Sequence, residues 1–240
     1  MYDLEHLSLR QMTTCGSVLR TLHRDASSLT DACDRMVRHL YDELRTDDAR
    51  ACALVRAYLT QPFGRLDSEQ QQFAQSASTA PLRPDTKCLT LVASAGVEPA
   101  WNDVRQSAGH RTIPLTSADA VERLPMVAQL VRQLGLDVNQ LLAPDPAVIM
   151  DLQQRTFNVF HVPQAADSPY IPAQRGFVDQ YGIRSVLGFG SLLPTGELFA
   201  IILFSHVPIP RQTAELFRPL ALAAKLSIIP FAVGPQGIHV

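Results

Sequence analysis

The fold is decided by one stretch: Gly182-Ile183-Arg184-Ser185-Val186-Leu187-Gly188-Phe189-Gly190-Ser191-Leu192-Leu193-Pro194-Thr195-Gly196-Glu197-Leu198-Phe199-Ala200-Ile201-Ile202-Leu203-Phe204-Ser205. Two apolar runs, Ser185–Leu193 and Glu197–Ser205, flank the turn formers Pro194, Thr195 and Gly196. Such runs around a short turn predict a β-hairpin. A hairpin makes at least part of the sheet antiparallel. Gly188 and Gly190, inside the first run, suggest a bulge or a close backbone approach.

Upstream of the hairpin, Thr156–Val162 reads as a third strand, with His161 sharing a face with Phe157 and Val159. The connection 163–176 is polar and punctuated by proline. Within it, Ser168-Pro169-Tyr170-Ile171-Pro172-Ala173-Gln174 has its path fixed by two prolines, as a pocket lid or a stiff connector would. Further back, Ala51–Thr60 and Cys88–Ser94 read as strands, with a short helix and a loop over 64–84. Residues 96–116 show no firm period. Pro125–Leu134 predicts a helix with proline in its first turn and Gly135 at its end. Asp145-Pro146 opens another, to Gln154.

At the chain start, residues 4–24 predict a helix with a seam of Met12, Cys15, Leu19 and Leu22. A second helix, Asp31–Leu44, is expected to be capped by Thr30. It carries Cys33, Met36, Val37, Leu40, Tyr41 and Leu44 as one stripe, suited to covering a sheet. The last helix starts near Pro210, with Phe217, Leu220, Ala224 and Ile228 on one face and a bend expected at Pro219. The resulting order is α, α, β, β, a helical insertion, β, loop, β, β, α. This is an α/β (α+β) protein with an antiparallel sheet of about five to six strands and helices on both faces. A cavity is expected between sheet and insertion, bounded by strands 156–162 and 185–205 with the 168–174 loop across its mouth.

Residues 182–205, followed by a helix over Gln212–Ile229, resemble the C-terminal half of a GAF domain. That family's pattern is a Gly-Ile-x-Ser start, an apolar strand, a turn with glycine, an apolar strand and a terminal helix. By order of elements the resemblance covers residues 27–230. The chain departs from the pattern at Ala200, where the family often has glycine, and in a longer connection between Ser94 and Thr156. It also resembles the sensory heads that precede bacterial histidine kinase modules, although no kinase motif is present. The resemblance implies a cytoplasmic, non-catalytic, small-molecule-sensing regulatory domain of a bacterial two-component system. Residues 1–26 would be a signalling helix, 27–232 the sensor domain and 233–240 a tail. A homodimer through the N- and C-terminal helices is expected, with a histidine kinase or another output domain as partner. The rival reading is a ligand-free dimerisation scaffold whose cavity its own side chains fill. A third, an enzyme reducing methionine sulfoxide through cysteines as some GAF proteins do, would need paired thiols.

Composition bounds these readings. Of 240 residues, 46% are hydrophobic and 18% charged, enough for a real core. The net charge of −2, without a basic stripe, speaks against nucleic acid as partner. No apolar run reaches membrane-span length. Cys15, Cys33, Cys52 and Cys88 show no metal or redox spacing. Glycine-rich phosphate loops and hydrolase motifs are absent.

The candidate ligand residues are Arg184, Ser185, Tyr170, Gln174, His161, Phe189 and Trp101. Arg184 begins a strand that is otherwise apolar or glycine, so it either anchors an anion at a pocket mouth or pairs with Asp179 or Glu197. Tyr170 and Gln174 supply polar tips on the proline-stiffened loop. His161 is either a core histidine or a ligand contact, and a haem iron held there amid Phe160, Phe189 and Phe199 is the competing cofactor. Trp101 is either a binding residue or a partly buried anchor.

Overall fold

The computed structural model describes residues 1–107, 109–143 and 158–232. Its strands are β1 (Tyr2–Asp3), β2 (Leu44–Thr46), β3 (Ala49–Arg50), β4 (Cys52–Pro62), β5 (Lys87–Gly96), β6 (Thr112–Pro114), β7 (Val159–Val162), β8 (Ser185–Leu192) and β9 (Leu198–Ser205). The helices are α1 (Leu9–Leu19), α2 (Leu29–Glu43), α3 (Ser68–Ser76), α4 (Ala118–Glu122), α5 (Pro125–Gln133), α6 (Val138–Leu142), α7 (Arg211–Glu215) and α8 (Arg218–Ala232). The expected helix over 145–154 and the tail 233–240 lie outside the described residues, as do residues 156 and 157 of the expected third strand.

Six strands form one antiparallel sheet in the order β6-β5-β4-β9-β8-β7, and β1, β2 and β3 form a small separate one. The fold is therefore α/β with an antiparallel sheet covered on both faces. The hairpin lies where expected: Leu193 donates its N–H to Glu197 O, and Gly196 takes a φ of 87°, which favours glycine. Gly190 is needed for a different reason. A Cβ there would lie 2.1 Å from the Phe199 carbonyl oxygen on the neighbouring strand.

One face of the sheet is closed by α1, α2 and α8. The stripe Cys33, Met36, Val37 and Leu40 of α2 is fully buried against Val55, Ala57 and Leu59 of β4 and Phe199, Ile201 and Leu203 of β9. Each large side chain so buried contributes about 1.5–3 kcal/mol. The cap of α2 is Ser28, whose hydroxyl accepts the Asp31 N–H, rather than Thr30. The helix begins two residues earlier than expected, because Ser28 has the extended backbone of a cap and Thr30 is already within the helix. Pro219 falls in the first turn of α8, where a missing N–H costs nothing; α7 has already ended, so proline opens this helix instead of bending it.

The expected N-terminal seam is used inside the chain. Cys15 and Leu19 are buried in the same core as α2, and Met12 packs against its edge. The expected long helix is shorter, α1 followed by a 3-10 turn at Leu22–Asp25. At Gly16 the two helices come so close that a Cβ would meet Leu220 Cδ2 at 3.3 Å. The stripe meets α8 of the same chain.

The other face carries Leu54 and Tyr58 of β4, Ala200, Ile202 and Phe204 of β9, and Val186 of β8. It is covered by α4–α6, by the 3-10 turn Pro99–Asn102, and by the segment from 163 to the π-helical turn Gln174–Asp179. This cover does not close fully over β4 and β9.

Candidate ligand-binding site

A cavity of about 440 Å³ lies between the sheet and its cover. Its floor is Leu54, Arg56 and Tyr58 of β4 with Phe204 of β9, and its walls include Trp101, His110, Met126, Ile171, Pro172 and Phe177. A second lobe of about 160 Å³ shares Tyr58, His110, Met126 and Pro172 and runs towards Leu130 and Ile202.

The floor follows from strand periodicity. Alternate residues of β4 point to opposite faces, so Leu54, Arg56 and Tyr58 face the cavity while Val55, Ala57 and Leu59 face the helices. The registers place Arg56 between Ser94 of β5 and Ile202 of β9. Arg56 is therefore in the middle of the sheet, with 9% of its surface exposed. Its Nη2 donates to Ser107 Oγ at 2.8 Å and its Nη1 to Tyr58 OH at 3.4 Å. The Nε has no partner among the described residues, and none of their carboxylates forms an ion pair with the guanidinium. The hydroxyl of Ser94, directly across the ladder, is likewise buried without a partner.

The aromatic wall is fixed by local backbone chemistry. Gly96 ends β5, and a Cβ on it would lie 2.7 Å from Trp101 Cε3, so glycine lets the indole settle on the strand end. Asn102 staples the turn that carries Trp101. Its Oδ1 accepts Gly96 N–H, and its Nδ2 donates to Gly96 O and Glu98 O. Trp101 then stands 4.5 Å from Tyr181 and 5.8 Å from Phe177, centroid to centroid, and Phe177 meets Phe204 edge-on at 5.0 Å. At the mouth, His110 holds a left-handed φ of 58°. One side of its ring is open, yet the protein around it, and secondarily the Arg56 charge, lower its pKa.

Of the seven residues expected to hold a ligand, only Trp101 lines this cavity. Arg184 is exposed and pairs with neither Asp179 nor Glu197; at the first position before β8 its side chain reaches solvent. Ser185 is buried with its hydroxyl between Val207 O and Ile209 N–H, fastening the chain that leaves β9. Gln174 braces the cover from within. Its Nε2 donates to Ile171 O and Ala165 O, and its Oε1 accepts Asp167 N–H. Tyr170 packs half-buried on the rim of the cavity-side core. Phe189 is fully buried on the opposite face of the sheet, against Phe217.

His161 lies at the sheet edge, with Nε2 2.8 Å from Ile209 O, and burial lowers its pKa. The haem arrangement is not assembled there. Phe160 points to the other face, and Phe189 and Phe199 are enclosed in the helix-side core. The expected cavity boundary shifts accordingly. Phe160 fills the space over Gly188, approaching to 3.2 Å of where a Cβ would be, and the opening lies over β4 and β9. The proline-stiffened loop does border it, through Ile171, Pro172 and Ala173.

Arg56 and Tyr58 were missed by the sequence reading. The signal was present: Arg56 is the only charge in the run Ala51–Thr60. The four cysteines are all free and buried. Burial pushes the thiols of Cys15 and Cys52 up to about 12 and that of Cys88 up to about 11, the reverse of what a redox nucleophile needs.

No family model matches the sequence, and the comparison with curated proteins gives no match. Among solved structures, the chain is similar to the GAF domain of an Acinetobacter phosphoenolpyruvate-protein phosphotransferase, at 15% identity and a TM-score of 0.44, over 93% of this chain and 96% of that one. It is also similar to the phycocyanobilin-bound GAF domain of a cyanobacterial phytochrome, at 9% identity and a TM-score of 0.45, over 92% and 96%. The chromophore-binding domain of Stigmatella aurantiaca bacteriophytochrome matches at 10% identity and a TM-score of 0.40, over 96% of this chain and 62% of that one. These likenesses concern the course of the backbone; the bilin chromophores belong to those proteins.

Proposed function

We propose that this chain is a non-catalytic sensory module of GAF-like fold, whose signal is a small molecule held between the sheet and its cover. The observation that carries this reading is the cavity on the β4–β9 face, with a buried guanidinium on its floor and aromatic rings in its wall. Small-molecule sites combine a mostly apolar lining with a few placed polar groups in this way. A scaffold whose cavity is filled by its own side chains would have no such space. Burial raises the Cys15, Cys52 and Cys88 thiols, which supports the binding reading over methionine sulfoxide reduction.

The module would report to an output domain such as a histidine kinase, and would do so as a homodimer. Of the terminal helices, α8 has a free apolar strip at Leu222 and Leu226, 43% and 42% exposed, while the seam of α1 is covered. Among the described residues no helix is long and apolar enough to cross a membrane.

Trp101 is the single tryptophan and lines the cavity, so its emission reports occupancy directly. Native mass spectrometry of freshly purified protein, followed by a thermal-shift screen of small metabolites, tests the proposal. A bound or stabilising molecule that also changes Trp101 emission is the expected result. A screen in which no compound does both would favour the scaffold.

A further inference from the structure

Resting on that reading, we infer that the ligand class is an organic monoanion: a carboxylate on an aromatic or comparably flat apolar body. Arg56 takes the carboxylate, and the rings of Trp101, Phe177 and Phe204 hold the body.

The charge argument starts from Arg56. Arginine stays protonated wherever it is placed, so burial cannot neutralise it. Buried charges in proteins are paired or coordinated, because desolvating one alone costs several kcal/mol. Arg56 is nine-tenths buried in the central strand of the sheet. What it meets among the described residues is two hydroxyls, Ser107 Oγ and Tyr58 OH, and no carboxylate. Both hydroxyls hold the guanidinium in place without cancelling its charge. The Nε donor remains unmatched. On the facing residue of β5 the Ser94 hydroxyl is buried and unpartnered too, so among the described residues no carboxylate reaches the guanidinium from that side. Floor and charge together call for an acceptor that carries a negative charge, and the planar fork of a guanidinium matches the two oxygens of a carboxylate.

A phosphate is less well served. Phosphate sites draw on several cations or on a row of backbone N–H groups at a helix start. Arg56 is the one Arg or Lys lining the larger lobe, whose described lining is otherwise apolar, aromatic or histidine; Arg123, exposed at the smaller lobe, is not part of that floor. A monoanion fits one fixed charge. The body is set by the wall. Trp101, Phe177 and Phe204 form a connected set of rings with centroids 5.0–5.8 Å apart. Edge-on and tilted rings of this kind take a flat aromatic partner.

The test pairs acids with their neutral amides in isothermal titration calorimetry of the full chain. Phenylacetate, 3-phenylpropionate and 2-naphthoate are compared with the corresponding amides, with propionate as an acid lacking the ring, and with phenyl phosphate. At least one aromatic acid is expected to bind tenfold or more tightly than its amide and than propionate, with phenyl phosphate weaker than that acid. In Arg56→Met the acid-to-amide ratio should fall to near one, and Arg56→Lys should restore part of it. Should Arg56→Met fail to fold, the ratio in the unaltered protein still decides. Amides that bind as well as acids would overturn the anion, as would acids unaffected by Arg56→Met, yet leave the sensory pocket standing. Tighter binding of phenyl phosphate would overturn the monoanion. If no aromatic acid binds while the metabolite screen yields another ligand, this inference fails alone; if neither yields one, the pocket reading fails with it.

Discussion

A guanidinium in a central strand is an expense to the free protein. Arg56 keeps its charge among apolar neighbours, and its hydroxyl partners return only part of the lost hydration. Arg56→Met should therefore stabilise the ligand-free chain, by about 1–2 kcal/mol in urea unfolding. Equal or lower stability would mean that the charge is already compensated by the protein. Gly96 is the matching residue on the apolar side. A methyl group there would collide with the indole of Trp101, which ordinary side-chain motion cannot clear while Asn102 holds the turn. Gly96→Ala should displace Trp101, change its emission and weaken ligand binding at least tenfold; unchanged emission would show that the ring has room to yield. The difference between Arg56 and Arg184 shows what was legible at this scale. Arg56 stands within an apolar strand and Arg184 at the entrance to one. Arg184 attracted notice by its position at a strand entrance, where a long side chain reaches water. Arg56 sits mid-strand and reaches only the cavity, and that burial gives the charge a role. Trp101 could be singled out as the sole tryptophan, but its neighbours come from residues about eighty positions later in the chain, which no local pattern connects.

Helices declare their apolar faces in sequence but not what covers them. The seam Met12, Cys15, Leu19 on α1 was legible as a stripe, and so was the face of α8 that carries Leu220 and Ala224. That each was the other's partner was not, since some two hundred residues separate them. Leu19 is fully buried in this contact. Leu19→Ala should cost about 2–4 kcal/mol of stability, as buried leucine truncations do, and leave the association state unchanged. Association should instead depend on the outward strip of α8. The double substitution Leu222→Glu with Leu226→Glu should dissociate a dimer in sedimentation velocity while hardly altering the urea midpoint, because both side chains are substantially exposed. A chain that sediments as a monomer at high micromolar concentration before any substitution would remove the dimer from the proposed function.

Taken as a whole, the sheet was readable because its hairpin and long strands are continuous apolar runs bounded by turn residues, and because the α2 stripe keeps helical spacing. Most of the sandwich cover was not, because 3-10 and π-helical turns, such as Pro99–Asn102 and Gln174–Asp179, carry no repeating pattern. Ionisable groups also meet the interior at several edges of the fold, and this gives the molecule a predictable response to acid. His39 on α2 against Tyr2 of β1, His110 at the cavity mouth and His161 at the sheet edge all have pKa values lowered from 6.5, in each case mainly by desolvation. A lowered folded-state value means that the unfolded chain binds protons more readily between that value and 6.5. Stability is therefore complete above the unfolded value and declines as pH falls below about 6.5. The carboxylates act later and in the same direction. Asp31, Glu43 and Asp103 lie below their ordinary values of 3.8 to 4.5, so their contribution persists through the histidine window and is lost only near those values and below. The urea midpoint should thus begin to fall between about pH 7 and pH 5, ahead of most carboxylate titration. His161→Gln keeps a donor towards Ile209 O, and His39→Gln keeps a polar partner for Tyr2 OH. Together these two substitutions should flatten most of that decline. A midpoint that stays level from pH 7 to pH 5 in the unaltered protein would show that the three imidazoles protonate as easily in the folded chain as in the unfolded one, and a decline that the double variant leaves intact would show that His39 and His161 do not carry it.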